Sequence, residues 1–196
     1  YAYSTLPGNE SWFAFDYGNS RFIFLDSEVS TGTPTDQYNW LQAELSRPET
    51  QQAAFRIVCF HKPPYCNVWN GSVYIGEGFV RADWVPLFTQ KNVDIVISGH
   101  QHSYQRGATN GVVYIVSGGG GGFLDTEIVY DWPFVQVEWS KYHFDIMEVN
   151  GTVNSLAELS GSQFEFKASS EELDRWADAW GGRPTGIGPV QIEGKV

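Results

Sequence analysis

Three of the chain's four histidines stand where short apolar runs end. His61 follows Phe55-Arg-Ile-Val-Cys-Phe60, and His100 and His102 follow Val93-Asp-Ile-Val-Ile97 in the segment Ser98-Gly-His-Gln-His-Ser-Tyr104. Neutral imidazole is a common ligand for divalent metal. A His-x-His pair leaving a sharp turn sends two rings off the same side, which suits one ion or two adjacent ions. Gly99 lets the backbone bend or approach closely there. His143 is different: it sits within an alternating segment and reads as structural.

These runs must be carried by a scaffold, and the rest of the chain supplies one. Phe55–Phe60 and Val93–Ile97 read as buried strands, the first stopped by Lys62-Pro63-Pro64. Val112–Val116 is a third such strand, ending at Ser117 and the run Gly118–Gly122. Upstream, Trp12–Phe15 and Arg21–Asp26 flank the turn signal Asp16-Tyr-Gly-Asn19 and predict a hairpin. Asp36–Ser46 predicts a helix capped by Thr33 or Thr35, with Tyr38, Leu41 and Leu45 at helical spacing. Residues 66–78 read as loop. Trp84, Leu87 and Phe88 predict a short helix with Pro86 near its first turn. The order hairpin, helix, strand, helix, strand, strand predicts an α/β fold with a mixed sheet. Ligands collect at the carboxyl ends of strands in such sheets, where the three histidines fall.

The tail changes character. Tyr142–Val149 and Gln163–Lys167 alternate like antiparallel strands, with Asn150-Gly151 and Ser160-Gly161 turns. Ser169-x-x-Glu172 is a capping box, and Leu173, Trp176, Ala177 and Trp180 form one apolar stripe closed by Gly181-Gly182. This divides the chain into a body over residues 1–168 and an amphipathic helix with an irregular tail over 169–196.

Composition narrows the partners. The 196 residues carry 12 Lys+Arg against 23 Asp+Glu, a net charge of −11, which argues against nucleic-acid binding through a basic surface and against an anionic membrane surface. No run approaches the roughly 18 apolar residues of a membrane span. The sequence does not begin with Met, so a processed, truncated or partial chain is expected. Cys59 and Cys66 allow one bridge or two free thiols. Three glycosylation-type sequons, at Asn9, Asn70 and Asn150, lean toward a secreted glycoprotein.

Phe60-His-Lys-Pro-Pro-Tyr65, Ser98-Gly-His-Gln-His-Ser-Tyr-Gln-Arg106 and Val113-Tyr-Ile-Val-Ser-Gly-Gly-Gly-Gly121, in that order, closely resemble the calcineurin-like metallophosphoesterases, in their purple acid phosphatase-like branch. Trp12–Ser27 and Gln37-Tyr-Asn-Trp-Leu-Gln42 look like the same branch, so the likeness runs over roughly residues 6–168. It implies an α/β/β/α sandwich and hydrolysis of a phosphate ester at two metal ions (Fe, Zn or Mn), which activate water and take up charge developing on the phosphate. By motif, His61 and His100 would ligate one ion and His102 the other. Tyr104 and Arg106 would brace the turn, with phosphate contact by Arg106 as the lesser reading. Gly118–Gly122 would let the backbone pass close to the site, where the bland alternative is an ordinary flexible turn.

The departures from the family pattern are as informative. Its first half carries Asp-x-His, then Gly-Asp, then Gly-Asn-His, which supply a bridging aspartate, an asparagine ligand and a catalytic histidine. No Asp here is followed two residues later by His, no Gly-Asp occurs, and Gly-Asn occurs only before Glu10 and Ser20. Leu6-Pro-Gly-Asn-Glu10 reads as the loop before the first strand, so Asn9 is not a ligand. Where relatives place a histidine before glycine, this chain has Asn70-Gly71, and asparagine binds phosphate but cannot act as the acid. Three imidazoles undersupply two ions. The sequence therefore reads as the C-terminal half of a catalytic domain, inactive or nearly so alone, with a non-catalytic binding or structural protein as the alternative. The strands Phe22–Leu25, Ile57–Phe60 and Ile95–Ile97 would each turn one face to the missing half or to a partner chain, unless the helix carrying Trp176 covers them.

Overall fold

A computed structural model describes residues 11–29, 35–145 and 147 of the chain. The sequons at Asn9 and Asn150, the Gln163–Lys167 alternation, the capping box and the Leu173–Trp180 stripe lie outside the described residues.

Among the described residues the scaffold is one seven-stranded mixed sheet in the order β1-β2-β3-β4-β6-β5-β7. β1 (Phe13–Tyr17) and β2 (Ser20–Phe24) form the expected hairpin, closed by Gly18 at φ 61° in the first central position of a two-residue turn. β2, β3 (Phe55–Phe60), β4 (Ile95–Ser98) and β6 (Val112–Ser117) run parallel. β5 (Tyr104–Thr109) and β7 (Val135–Trp139) add antiparallel partners at the far edge.

The crossovers are helical. α1 (Asp36–Leu45) and α2 (Pro48–Gln52) connect β2 to β3, and α3 (Gly78–Gln90) connects β3 to β4. Of the two candidate caps for α1, Thr35 is the one used: its hydroxyl accepts from the Tyr38 amide. Leu41 and Leu45 of α1 and Val80, Trp84, Leu87 and Phe88 of α3 pack on Ile23, Val58, Phe60 and Val96 of the sheet, so both crossovers cover one face. The buried Arg21 and Glu44 ion pair, at 2.8 Å, fastens β2 to α1. Gln37, wholly buried, accepts from the Asp26 amide and donates to the Asp26 carbonyl, fixing the exit of β2.

Two expectations need correction, and one strand lies outside the sequence reading. The helix around Trp84 is not short: it spans 13 residues, and Pro86 lies in its interior rather than its first turn. Pro86 is exposed, where the loss of one backbone bond is tolerated on the solvent side. Tyr104–Thr109 is a further strand, joined to β6 through Asn110 and Gly111 at φ 51° and 81°, the left-handed pair a tight hairpin requires. Residues 142–145 form no strand, because the His143 amide donates to the Gly119 carbonyl instead of to a ladder, and Val135–Trp139 pairs with β5; of the rest of the Tyr142–Val149 alternation, 146, 148 and 149 lie outside the described residues.

The second face of the sheet carries Phe55, Ile57, Ile95, Tyr104 and Ile115, all buried, with Phe22, Cys59, Ile97, Val113, Val137 and Trp139 partly buried around them. On the hairpin, Phe13 stacks on Phe24 and Phe15 on Phe22, with centroids 4.9 and 5.4 Å apart. Phe15 is 41% exposed. Both cysteines are free thiols. Among the described residues no helix is long and apolar enough to cross a membrane.

Candidate metal centre

Parallel pairing explains why His61 and His100 meet. β3 and β4 are neighbours with Phe60 opposite Ser98, so the residues that follow leave the same end of the sheet together. The Gly99 amide donates to the His61 carbonyl at 3.0 Å, extending the ladder by one step. At His100 the backbone turns into the left-handed region, φ 66°, and the Gln101 amide closes onto the Gly99 carbonyl at 2.8 Å. A non-glycine residue held there is uncommon and reads as a constraint imposed by the site. The result is His61 Nε2 facing His100 Nδ1 across 3.2 Å, with the rings steeply inclined at 79°.

The surroundings bias His100 toward its neutral form. Burial lowers its pKa most, and the neighbouring His61 and Lys62 charges lower it further, while Glu28 and Glu77 oppose them. The Trp69 indole stacks on the His100 ring at 5.1 Å, and Tyr74 meets it edge-on at 5.4 Å. Lys62 Nζ pairs with Glu28 at 2.8 Å, and its amide donates to Ser27 Oγ. The exits of β2 and β3 thus place one cation and one anion beside the histidine pair.

His102, two residues further on, is held separately. Its Nδ1 lies 2.6 Å from the Phe123 carbonyl. A carbonyl only accepts, so Nδ1 carries the proton and Nε2 keeps its lone pair. Its amide donates to Asp125 Oδ2 at 2.8 Å, and Asp125 Oδ1 accepts from the Asn70 amide at 3.0 Å. The buried Asp125 therefore ties the Asn70 loop to the His102 turn. Asn70 itself is fully engaged: its Oδ1 accepts from the Thr126 and Glu127 amides, and its Nδ2 donates to the Leu124 carbonyl. Arg106 lies on β5, opposite Ile115 and Val137, and burial pushes the Tyr104 phenol up to about 12 even though the Arg106 charge works against the rise.

The structure thus brings two of the three candidate ligands face to face. Among the described residues no group of three His, Cys, Asp or Glu side chains is arranged to hold a metal ion. The donors suit a borderline metal in chemistry, two facing imidazoles and a third held as a single tautomer, and fall short of two ions in number. Trp69, Tyr74, the Glu28–Lys62 pair and Asp125 join the site without standing out in the sequence. Only Lys62, adjacent to His61, carries a signal there; the others reach the site through loops whose path no periodicity reveals.

The sequence profile of calcineurin-like phosphoesterases matches residues 3–104, a span that contains His61, His100 and His102. The chain belongs to the calcineurin-like phosphoesterase family. Purple acid phosphatase 18 of Arabidopsis thaliana is 32% identical over 155 residues, covering 72% of this chain and 35% of that protein. The purple acid phosphatase of Glycine max is 35% identical over 95 residues, 48% of this chain and 20% of that protein. Among solved structures, purple acid phosphatase PPD1 from yellow lupin (Lupinus luteus) seeds shares the fold with a TM-score of 0.67 at 21% identity, over 83% of this chain and 31% of the lupin chain. The chain thus spans about a third or less of the length of these relatives.

Proposed function

We propose that the chain is the C-terminal portion of a phosphate-ester hydrolase and supplies the imidazole side of its metal centre. The observation that carries this reading is the convergence of His61 Nε2 and His100 Nδ1 at the carboxyl ends of adjacent parallel strands, 3.2 Å apart. His61 and His100 would hold one ion, and His102, through Nε2, the other. When bound, the ions would supply Lewis-acid activation of phosphate and water. The chain's own residues do the positioning. The strained turn at His100 and the Trp69 stack fix one ring, and the Phe123 carbonyl fixes another. Lys62 offers a positive charge to the incoming phosphate in a chain whose net charge is −11. The shortage of ligands supports weak metal binding and background turnover by this polypeptide alone. The partly exposed phenylalanines of the hairpin support a cover from the rest of the catalytic domain, and the sequons support secretion.

The second reading is a non-catalytic protein that keeps half of the fold. It is favoured by the lack of any three-ligand group among the described residues. Zn²⁺ titration of the histidine-labelled chain, followed by NMR, separates the two. The hydrolase reading expects the His61, His100 and His102 side-chain resonances to move on Zn²⁺ addition while His143 stays. Three unresponsive histidines would reject the metal-centre reading and favour the non-catalytic one.

A further inference from the structure

We propose that His143, a buried histidine outside the candidate ligand set, is a positioning residue for His102 and acts through the glycine run Gly118–Gly122. The proposal rests on the reading of His102 as a metal ligand.

The run is threaded between the two histidines. A side chain at Gly118 would overlap the Gln101 carbonyl, one at Gly119 the His143 imidazole and the Lys141 carbonyl, and one at Gly122 the His102 imidazole. Three of the five glycines are therefore required by close approach, so the run is not an ordinary flexible turn. Between these positions a side chain at Gly120 or Gly121 would meet nothing, and Gly121 sits at φ 145°. Close approach thus constrains the run at Gly118, Gly119 and Gly122, on either side of its middle.

The far end sets the His102 ring. The Phe123 carbonyl, one residue beyond Gly122, accepts from His102 Nδ1, and the Asp125 amide donates to the His102 carbonyl at 3.1 Å. The near end is set by His143. Its amide donates to the Gly119 carbonyl at 3.1 Å. Its Nδ1 donates to the Lys141 carbonyl at 2.8 Å, and its Nε2 lies 3.4 Å from Ser117 Oγ. Tyr104 and Trp139 hold the ring edge-on and inclined, at 5.5 and 4.8 Å, and the residue is 5% exposed. A rigid ring with both nitrogens engaged thus presses on Gly119, three residues before the glycine that lies against His102. Moving it lets the Phe123 carbonyl drift from the His102 N–H. The tautomer that leaves Nε2 free to ligate is then no longer selected. Groups that orient ligating histidines in this way typically change metal affinity by about 10–100-fold when removed.

The test uses the full 196-residue chain, labelled with ¹⁵N-histidine and observed in long-range ¹H–¹⁵N spectra without metal and during Zn²⁺ titration. Wild type should show His102 as the single Nδ1–H tautomer. His143→Phe, which keeps a ring but loses both polar contacts, should show a tautomer mixture and about tenfold weaker Zn²⁺ binding at His102. His143→Asn, which restores a donor near the Nδ1 position, should recover most of both. A folded His143→Phe chain with the wild-type His102 tautomer and Zn²⁺ response would overturn the positioning role. Should His143→Phe not fold, wild type still decides: the His102 and His143 Nδ1 protons should exchange with solvent together as the loop opens, and independent exchange overturns the proposal. A wild-type His102 that ignores Zn²⁺ overturns the ligand reading instead, and with it the purpose of the positioning.

Discussion

Asp125→Asn is the most discriminating perturbation of the loop framework. Asp125 is 8% exposed, and its two carboxylate oxygens accept one backbone N–H each, from Asn70 at 3.0 Å and His102 at 2.8 Å. Asparagine has the same shape but one acceptor. Its amide nitrogen would face whichever N–H it cannot satisfy. One hydrogen bond to a charged group is lost, contributing about 1.5–3 kcal/mol, and a buried donor is left facing another donor. The expected cost is about 2–3 kcal/mol, with Asp125→Ala, which leaves both donors unpaired, costing about 3–5 kcal/mol. In urea unfolding followed by tryptophan fluorescence, a slope of about 2–3 kcal/mol/M places the Asp125→Asn midpoint roughly 1 M below wild type. Hydrogen exchange should speed up at the Asn70 and His102 amides ahead of the β3 and β4 amides. An Asp125→Asn chain within about 0.5 kcal/mol of wild type, or an alanine variant no worse than the asparagine one, would refute the bridging role.

Other predictions follow from the same contacts. Burial pushes the Cys59 thiol up to about 12 and raises that of Cys66 as well, so neither should react with a thiol-specific disulfide reagent at neutral pH until the chain is unfolded. The His100 pKa, held down by burial and by the His61 and Lys62 charges, should rise in Lys62→Met, read by NMR titration of its ring protons. A histidine pKa below the unfolded value of 6.5 means the unfolded chain binds more protons near that pH. The His100 contribution to stability should therefore be complete above 6.5 and lost as pH falls toward the folded value. Gly111→Ala forces a β-carbon into φ 81° and should cost about 1–2 kcal/mol of stability in the same urea assay, with the histidine spectra unchanged.

How much of the fold is legible in the sequence depends on the range of the interaction. Strands fixed by their own composition are visible: Phe55–Phe60 and Ile95–Ser98 are short apolar runs with sharp ends, and their buried parallel pairing needs nothing else. Asp36–Leu45 is visible because its cap and apolar spacing are local. Tyr104–Thr109 escapes a reading centred on the histidine turn, because it begins two residues after His102 and only Asn110-Gly111 beyond it signals a hairpin. Gly78–Gln90 reads short because a proline resembles a start signal, whereas Trp84, Leu87 and Phe88 bury the helix face beside it and carry the helix past Pro86. Val135–Trp139 is a strand where the sequence shows its clearer alternation from Tyr142 on, since period alone does not say which segment pairs with β5.

The candidate site divides along the same line. His61 and His100 need only two adjacent parallel strands to be brought together, and two such strands can be read from composition, so the pair is legible in the sequence itself. His102 depends on a carbonyl 21 residues away, a carboxylate 23 residues away and a glycine run held in turn by His143. None of these has a local signature: a buried aspartate in an irregular loop, a histidine in an alternating segment and five glycines all look ordinary alone. The run's meaning lies in what a β-carbon would strike, and that is a property of the packed neighbours rather than of the glycines. Each imidazole has its own support, the strand pair and Trp69 for one group and the 118–125 loop for the other. The two are linked where Asp125 ties the Asn70 loop to the His102 turn. Asp125→Asn is expected to disturb the His102 resonances first, to reach His100 only through Trp69 beside Asn70, and to leave His61 as it was. A coordinated change at all three histidines would mean that they already share a single packed unit, held by contacts other than the ones that orient each ring here.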